Sequence, residues 1–522
     1  MSTASAPRSG SGAALRRGVR WAGGRRPREG EPFAVGRRAG LPGRRDLPAR
    51  TAGAAVGLLV LTALGIRAFI PRGLWLDEAI SVEQAHLGLP ALIQNLAGTD
   101  YQPPLHHVVL WVVMRLAGDD DLAVRVPSIA AGILLVPVTY WLAAELFDRR
   151  TGIVAAALAT FAPILVWYSQ EAGGYALETL FCTTAVLGCA RIVRRGGRDR
   201  DWALHAAAAT LAVWTSWFAL LVVAATEAVL VVELVRRRRA GIPLRAWVTG
   251  WIASSVALTV QLAALGMLAA SQVRATGAGG GYAGTLGTGD GLSFYTIASN
   301  VSWALLGFHE DAVTQALSAI WPMLMLAALV LVGRGMSRRG ALLLVCAAGP
   351  VVGVLVLGLV SPPAFDVRYF VAAVPGALVL FARLGTAWPR TRHGRAAVVG
   401  AMALLFAVAL VDQQRNRDNP RRYDFREALA TAQARMGPRD VLLYQPPELR
   451  FILNHYAPDL VARPLDGRLP TRREAPGVLV IGSFLDQPRY GRVADRQLRA
   501  LRAARRPAGR ERFPGVTLWT FR

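Results

Sequence analysis

Two adjacent carboxylates, Asp77 and Glu78, sit in the stretch Gly73-Leu74-Trp75-Leu76-Asp77-Glu78-Ala79, a few residues past an apolar run that ends at Ile70. A carboxylate at the edge of an apolar wall can accept the proton of a hydroxyl, which is a poor nucleophile until a base takes that proton. The plainer account is that both acids occupy the first turn of a surface helix, where the dipole favours negative charge. Another acid lies in Trp167-Tyr168-Ser169-Gln170-Glu171-Ala172, and a Gln-Pro-Pro-Leu turn, Gln102 to Leu105, falls between the two. Asp366-Val367-Arg368-Tyr369-Phe370 places an arginine at the end of a later apolar run. An anion there would meet a forked cationic donor; the plainer account is a snorkelling arginine paired with Asp366. The three cysteines, Cys182, Cys189 and Cys346, lie in apolar stretches without the spacing of a metal or redox motif.

The elements that must position these groups are membrane helices. The 522 residues are 53% apolar and 18% charged, with a mean hydropathy of +0.35, which excludes an ordinary soluble protein. Apolar stretches long enough to cross about 30 Å of hydrocarbon are expected at 52–70, 124–146, 151–167, 173–193, 203–217, 218–235, 246–270, 312–333, 340–360, 369–387 and 394–411, about eleven spans. All 59 basic residues are arginine, against 34 acids, for a net charge of +25. The clusters fall between apolar stretches, at 147–150, 194–200, 236–245, 334–339 and 390–395, so the charge reports topology by the positive-inside rule rather than nucleic-acid binding. With the N-terminus inside, those connections are cytoplasmic, and the loops bearing Asp77, Glu171 and Arg368 share the outer face. Pro103 to Ala117 is also apolar, but a crossing there would reverse the charge asymmetry of the loops that follow, so a helix lying on the outer surface is expected.

Residues 1–50 carry 12 Arg against three acids, with much Gly and Pro, and read as a disordered basic cytoplasmic tail. Residues 51–411 form the transmembrane domain. From 412 to 522 the sequence turns charged and Pro-punctuated: Asp424 to Met436 has helical periodicity, Val441 to Tyr444 and Val478 to Ile481 read as buried strands, and Arg492 to Arg505 as a charged helix. The fold class expected is therefore an all-α polytopic membrane protein with a small extracytoplasmic α/β domain at its C-terminal end, multi-pass in the plasma membrane.

In the order and spacing of Leu76-Asp77-Glu78, Gln102-Pro103-Pro104-Leu105, Phe147-Asp148-Arg149-Arg150-Thr151-Gly152, Tyr168-Ser169-Gln170-Glu171-Ala172 with Tyr175-Ala176-Leu177, and Arg368-Tyr369 with Pro375, the chain resembles the GT-C superfamily of membrane glycosyltransferases. The resemblance covers about residues 52–420 and is to the protein O-mannosyltransferase-like and aminoarabinose-transferase-like branch. It implies transfer of a sugar from a polyprenyl-phosphate donor to an acceptor hydroxyl on a glycan, lipid or protein, with inversion. Asp77 is then the catalytic base, Glu171 the second acid near the sugar, and Glu78, Gln102, His106, Tyr175, Arg368 and Tyr369 the substrate contacts, Arg368 on the lipid phosphate. Because an arginine can meet a monophosphate leaving group without a metal, no cofactor and no metal is expected, though a divalent ion on the acidic pair stays open. Membrane lipid is the other expected partner, and nucleic acid is not one.

Two positions depart from the pattern. Relatives often read Gln-Glu-Ala-Arg-x-Tyr where this chain has Gln170-Glu171-Ala172-Gly173-Gly174-Tyr175, and many carry Lys where it has Gln102. Both departures remove positive charge from the donor site, and Arg67, Arg72 and Arg115 are the candidates to replace it. His106 and His107 read as interfacial polar residues or a proton relay, and Trp75 as an interfacial anchor or a sugar platform. The Gly-rich run 277–291 lacks the context of a phosphate loop and reads as a flexible outer loop. A transporter and a noncatalytic envelope scaffold are the rivals from other classes; acids concentrated in outer loops rather than at the membrane midplane weigh against the transporter.

Overall fold

A computed structural model of the protein describes residues 47–98, 102–276, 293–309, 338–360, 365–388, 391–417, 419 and 421–522. Helices α1 (Ala49–Ala68), α2 (Leu76–His86), α3 (Leu89–Gly98), α4 (Leu105–Ala117), α5 (Val126–Leu146), α6 (Arg149–Phe161), α7 (Pro163–Ser169), α8 (Tyr175–Arg195), α9 (Asp199–Thr215), α10 (Ala219–Arg239), α11 (Arg245–Thr276), α12 (Phe294–Leu306), α13 (Arg338–Val360), α14 (Val374–Ala387) and α15 (Arg392–Arg415) make up the apolar part. α5 packs on α1, α6 and α8, α8 on α9, and α14 on α6. One core of Leu, Ala, Val and aromatic side chains runs through these helices, from Leu135 and Leu142 on α5 to Leu378 on α14.

Six helices are long and apolar enough to cross a membrane: Ala49–Ala68, Ala123–Leu146, Tyr175–Arg195, Arg245–Arg274, Arg339–Leu359 and Arg392–Arg415. A seventh results if α6 and α7, bent by 59° where Pro163 cannot continue the ladder, form one broken span. This is a multi-pass membrane protein with fewer qualifying spans among the described residues than the eleven expected. The stretches expected at 203–217 and 218–235 are α9 and α10, which meet neighbouring helices but stay below the criterion for a span; α10 carries Glu227, Glu233 and four terminal arginines. The one expected at 369–387 is a short helix, and that at 312–333 lies outside the described residues, as does the Gly-rich run at 277–291. α4, with 13 residues, spans about 20 Å, too little for a crossing.

The α6/α7 break is held by α1. Arg67 donates to the carbonyls of Ala159 and Thr160 at 3.1 and 3.2 Å and to Ser169 Oγ at 3.3 Å. A cation on the last carbonyls of a helix satisfies groups that lack an intrahelical partner. α5 closes over this arrangement at Gly132, where an added Cβ would lie 2.0 Å from Ser169 Oγ and 2.8 Å from Arg67 Nε, so only glycine fits.

Beyond α15 the chain forms α16 (Phe425–Arg435), β1 (Val441–Gln445), α17 (Arg450–Tyr456), β2 (Ala462–Pro464), β3 (Val478–Ser483), α18 (Pro488–Ala504), β4 (Pro507–Phe513) and β5 (Val516–Phe521). The sheet order is β2-β1-β3-β5-β4. β1 runs parallel to β2 and β3, pairing Val441 with Val478, and β5 runs antiparallel to β3 and β4. Because alternate side chains of a strand point to opposite faces, Leu442, Tyr444, Leu479, Ile481 and Leu518 pack with α16 and α17, while Leu443, Val480, Trp519 and Phe521 pack with α18. The first of these layers also takes in Leu76 and Ala79 of α2. The domain is thus seated on the helix that bears Asp77.

Candidate active site

The turn into α2 sets the two acids apart. Glu78 is the third helical residue, and its Oε2 accepts from the backbone N–H of Trp75 at 3.0 Å. The rest of its carboxylate is taken by Arg125, which donates from Nε to Oε1 at 2.6 Å and from Nη2 to Oε2 at 2.7 Å, and by the N–H of Ala172 at 2.8 Å. Arg125 also holds the carbonyls of Arg72 and Gly73 at 3.1 and 2.9 Å. Glu78 and Arg125 are both fully buried. The expectation that Glu78 contacts substrate is therefore corrected: its lone pairs are spent on tying the α2 turn to the loop that carries Glu171.

Asp77, one residue earlier, projects the other way. Its side chain is 37% exposed, and its Oδ2 lies 3.6 Å from Nη1 of Arg368. Arg368 is set by Asp366, which caps a short 3-10 turn by accepting from Arg368 N at 3.0 Å and meets Arg368 Nε at 3.3 Å. The same Asp366 accepts from Arg421 Nη2 at 2.8 Å. Burial pushes the Asp366 carboxyl up, but the two guanidinium groups outweigh it and hold its pKa well below the usual range. Two arginines, brought from distant parts of the chain, are thereby fixed side by side on one carboxylate.

Arg368 and Arg421 border a cleft, open to solvent, that is also lined by Trp75, Trp167, Tyr168, Glu171, Tyr175 and Phe308. Glu171 forms its acidic wall and is 3% exposed. Burial raises its pKa from 4.5 to about 7; the negative charges of Glu78 and Asp77 add to this, while Arg72 and Arg368 draw it back. Tyr168 and Tyr175 pack ring to ring at 4.8 Å. Gln170 holds the loop by donating to Ile66 O and Phe69 O at 2.9 and 2.8 Å and accepting from Gln414. An acid able to change protonation near neutral pH, a more exposed carboxylate, two cations and an aromatic rim can together bind an anion and accept a proton.

Of the expected site residues, Glu171, Tyr175 and Arg368 line the cleft and Asp77 reaches it through Arg368, whereas Glu78, Gln102, His106 and Tyr369 do not line it. Gln102 is exposed at the entrance to α4. His106 is buried beneath the 172–174 turn, its Cβ 3.5 Å from where a Cβ on Gly174 would sit. Burial lowers the pKa of His106 to about 3 and of His107 to about 4, so both stay neutral and neither is placed to relay protons at neutral pH. Tyr369 stacks on Phe218 at 4.2 Å, inside the helix packing. The proposed replacements for the missing cation are likewise corrected. Arg67 is spent at the α6/α7 break. Arg72 lies over the Trp167 ring at 3.5 Å and donates to the carbonyls of Trp167 and Gln170. Arg115 donates to His86 O and Leu87 O at the far end of α2. The cation that joins Arg368 is Arg421, which sequence reasoning passed over because it lies beyond the last apolar stretch; the Arg421-Arg422 pair at the head of the charged C-terminal region was the available signal. Among the described residues, no three His, Cys, Asp or Glu side chains come together as a metal site.

Residues 101–262 match the family model described as dolichyl-phosphate-mannose-protein mannosyltransferase. The fold resembles the crystal structure of ArnT from Cupriavidus metallidurans in the apo state, with a TM-score of 0.52 at 15% identity over 90% of this chain and 98% of that one. For ArnT from the same organism bound to undecaprenyl phosphate, the values are 0.50, 14%, 90% and 97%. No curated protein matches the chain in sequence. The family match covers under a third of the chain, and the likeness to ArnT, which runs along nine-tenths of the chain, is one of fold.

Proposed function

We propose that the protein is an integral-membrane glycosyltransferase that moves a sugar from a polyprenyl-phosphate donor to an acceptor hydroxyl outside the cytoplasm. The observation that carries this reading is the convergence of Glu171, Arg368 and Arg421 on one aromatic-rimmed cleft, with Asp77 set against Arg368 at 3.6 Å. The GT-C fold and the undecaprenyl phosphate bound by ArnT support the kind of donor. In the reaction proposed, the acceptor oxygen forms a bond to the anomeric carbon as the bond from that carbon to the phosphate oxygen breaks. The acceptor proton passes to Asp77, the more exposed of the acids, and the departing phosphate keeps the electron pair and is met by Arg368 and Arg421. Attack opposite the leaving group inverts the anomeric centre. Glu171, on the cleft wall, orients the sugar.

The outward facing of the site is supported by the helices themselves. α8 starts at the cleft with Tyr175 and ends at Arg194 and Arg195, and its 21 residues make about 32 Å. The arginine clusters that the positive-inside rule assigns to the cytoplasm thus lie at the opposite end from the acids. On this reading residues 1–50 are a cytoplasmic tail, 51–411 the catalytic membrane domain, and 412–522 an extracytoplasmic domain. The test is reconstitution of the full chain with a panel of polyprenyl-phosphate sugars and envelope acceptors. Release of polyprenyl phosphate with transfer of sugar is expected, and its loss in Asp77→Asn; a purified protein that turns over no such donor would overturn the assignment.

A further inference from the structure

The C-terminal domain reaches the segment that carries Asp77 through one side chain. Tyr456, the last residue of α17, accepts through its hydroxyl oxygen from the backbone N–H of Leu74 at 2.6 Å and donates to Asp121 Oδ1 at 2.8 Å. Its hydroxyl therefore both accepts and donates. The entry to α2 is then gripped from two sides. From the membrane part, Arg125 holds the carbonyls of Arg72 and Gly73, and Glu78 holds the N–H of Trp75. From the C-terminal domain, Tyr456 holds the N–H of Leu74. The approach is close: a Cβ on Gly73 would lie 3.0 Å from the Tyr456 hydroxyl and 3.2 Å from Arg426 Cβ, so any larger residue there would push on this contact. Asp121 is in turn held by Arg426 at 3.1 Å and by His455 at 3.4 Å, both from the same domain. Next to this contact, Tyr423 stacks on Trp75, a residue of the cleft wall, at 6.5 Å.

We propose that Tyr456 is a positioning residue for the transfer reaction, and that by bridging the Leu74 N–H to Asp121 it makes the C-terminal α/β domain a structural part of the active site. The proposal rests on the reading of Asp77 as the base. Leu74 is three residues before Asp77, with Trp75 and the first helical residue between them, so freedom at the Leu74 amide moves the carboxylate relative to the cleft. Reacting groups displaced by about 1 Å lose rate by as much as about 100-fold without losing ground-state contacts. Donor binding falls to Arg368 and Arg421, which Asp366 anchors from outside the Leu74 to Asp77 segment.

The test uses the full-length protein in detergent or nanodiscs and the Tyr456→Phe variant, which keeps the ring and removes the hydroxyl. Expected are a kcat lowered about 10- to 100-fold, within the range for misplaced groups, a donor KM changed less than about twofold, and hydrogen exchange in the 72–77 backbone raised at least about tenfold. Asn454→Ala serves as the control, since it removes a domain contact, Asn454 Nδ2 to Glu83 Oε1 at 3.2 Å, that does not touch the Leu74 to Asp77 segment; it should leave kcat and the exchange pattern as in the wild type. Unchanged exchange at 72–77 in Tyr456→Phe overturns the proposal, and so does a wild-type kcat. The exchange arm needs no substrate, so absence of any polyprenyl-phosphate turnover in the wild type would count against the proposed function and leave the Tyr456 contact to be decided by exchange.

Discussion

Asp77 and Glu78 leave the same helical turn one residue apart, and the surroundings give them different chemistry. Glu78 is buried with four hydrogen bonds, two from Arg125 and one each from the backbone at Trp75 and Ala172. Protonating it would break a charge-assisted pair in a low-dielectric site. Asp77 has 37% of its side chain open and lies 3.6 Å from the Arg368 guanidinium, a separation that an entering ligand can change. A carboxylate saturated by the fold holds structure, whereas one left partly open at a cleft is available to react. The adjacency that looks like an acidic pair in the sequence is a division of labour between the core and the cleft.

The substitutions that sharpen this contrast most are the two isosteric ones. Asp77→Asn should lower turnover by about two to four orders of magnitude, the usual range for loss of a general base, with an unchanged melting temperature. Glu78→Gln should do the reverse, destabilising the protein by about 3–5 kcal/mol because Arg125 is left buried without its partner charge, as read from thermal unfolding in detergent. A Glu78→Gln protein as stable as the wild type would break the comparison, as would an active Asp77→Asn enzyme.

Next in size is the cation on the open side. Arg368→Ala removes hydrogen bonds to a charged ligand and should weaken binding of polyprenyl phosphate by about 10- to 100-fold, with a matching loss of rate. Lysine keeps the charge without the planar fork, so Arg368→Lys should recover part of the loss. Because Asp366 holds both arginines, Arg421→Ala should weaken the same binding in the same direction. Unaltered donor-phosphate affinity in Arg368→Ala, measured by titration, would assign that arginine to holding Asp77 alone.

Much of the scaffold was legible because long apolar runs and arginine clusters are local signals. The spans at α1, α5, α8, α11, α13 and α15 follow from them, as do the strands β1 and β3, which are buried on both faces and read as continuous apolar runs. Strands β4 and β5 were not legible: β4 reads Pro-Ala-Gly-Arg-Glu-Arg-Phe, mostly exposed at the sheet edge, and takes its conformation from pairing with β5. The site divided in the same way. Asp77, Glu171, Tyr175 and Arg368 carry recognisable neighbours in sequence, whereas Arg421 and Tyr456 reach the site only through contacts spanning 55 and 382 residues. Which acid is buried was illegible too, since the partner that decides it, Arg125, is 47 residues from Glu78.

The smallest effect expected tests Glu171, the buried acid of the cleft wall, against Glu78. Burial is the main cause that raises its pKa from 4.5 to about 7, and the arginines near it offset this only in part. Folding therefore strengthens its hold on a proton, so between about pH 4.5 and 7 the unfolded chain binds fewer protons than the native state and stability falls as pH rises. The contribution is neutral below that window. Above it the cost is complete, at most about 3 kcal/mol for a shift of this size. Glu171→Gln should remove this slope, so the stability difference between variant and wild type should grow from pH 5 to pH 8 and then level off. Unfolding followed in detergent across that range provides the measurement. A difference that stays flat from pH 5 to 8 would mean that Glu171 titrates as an ordinary carboxylate, and that the cleft wall is wetter than its 3% exposure indicates.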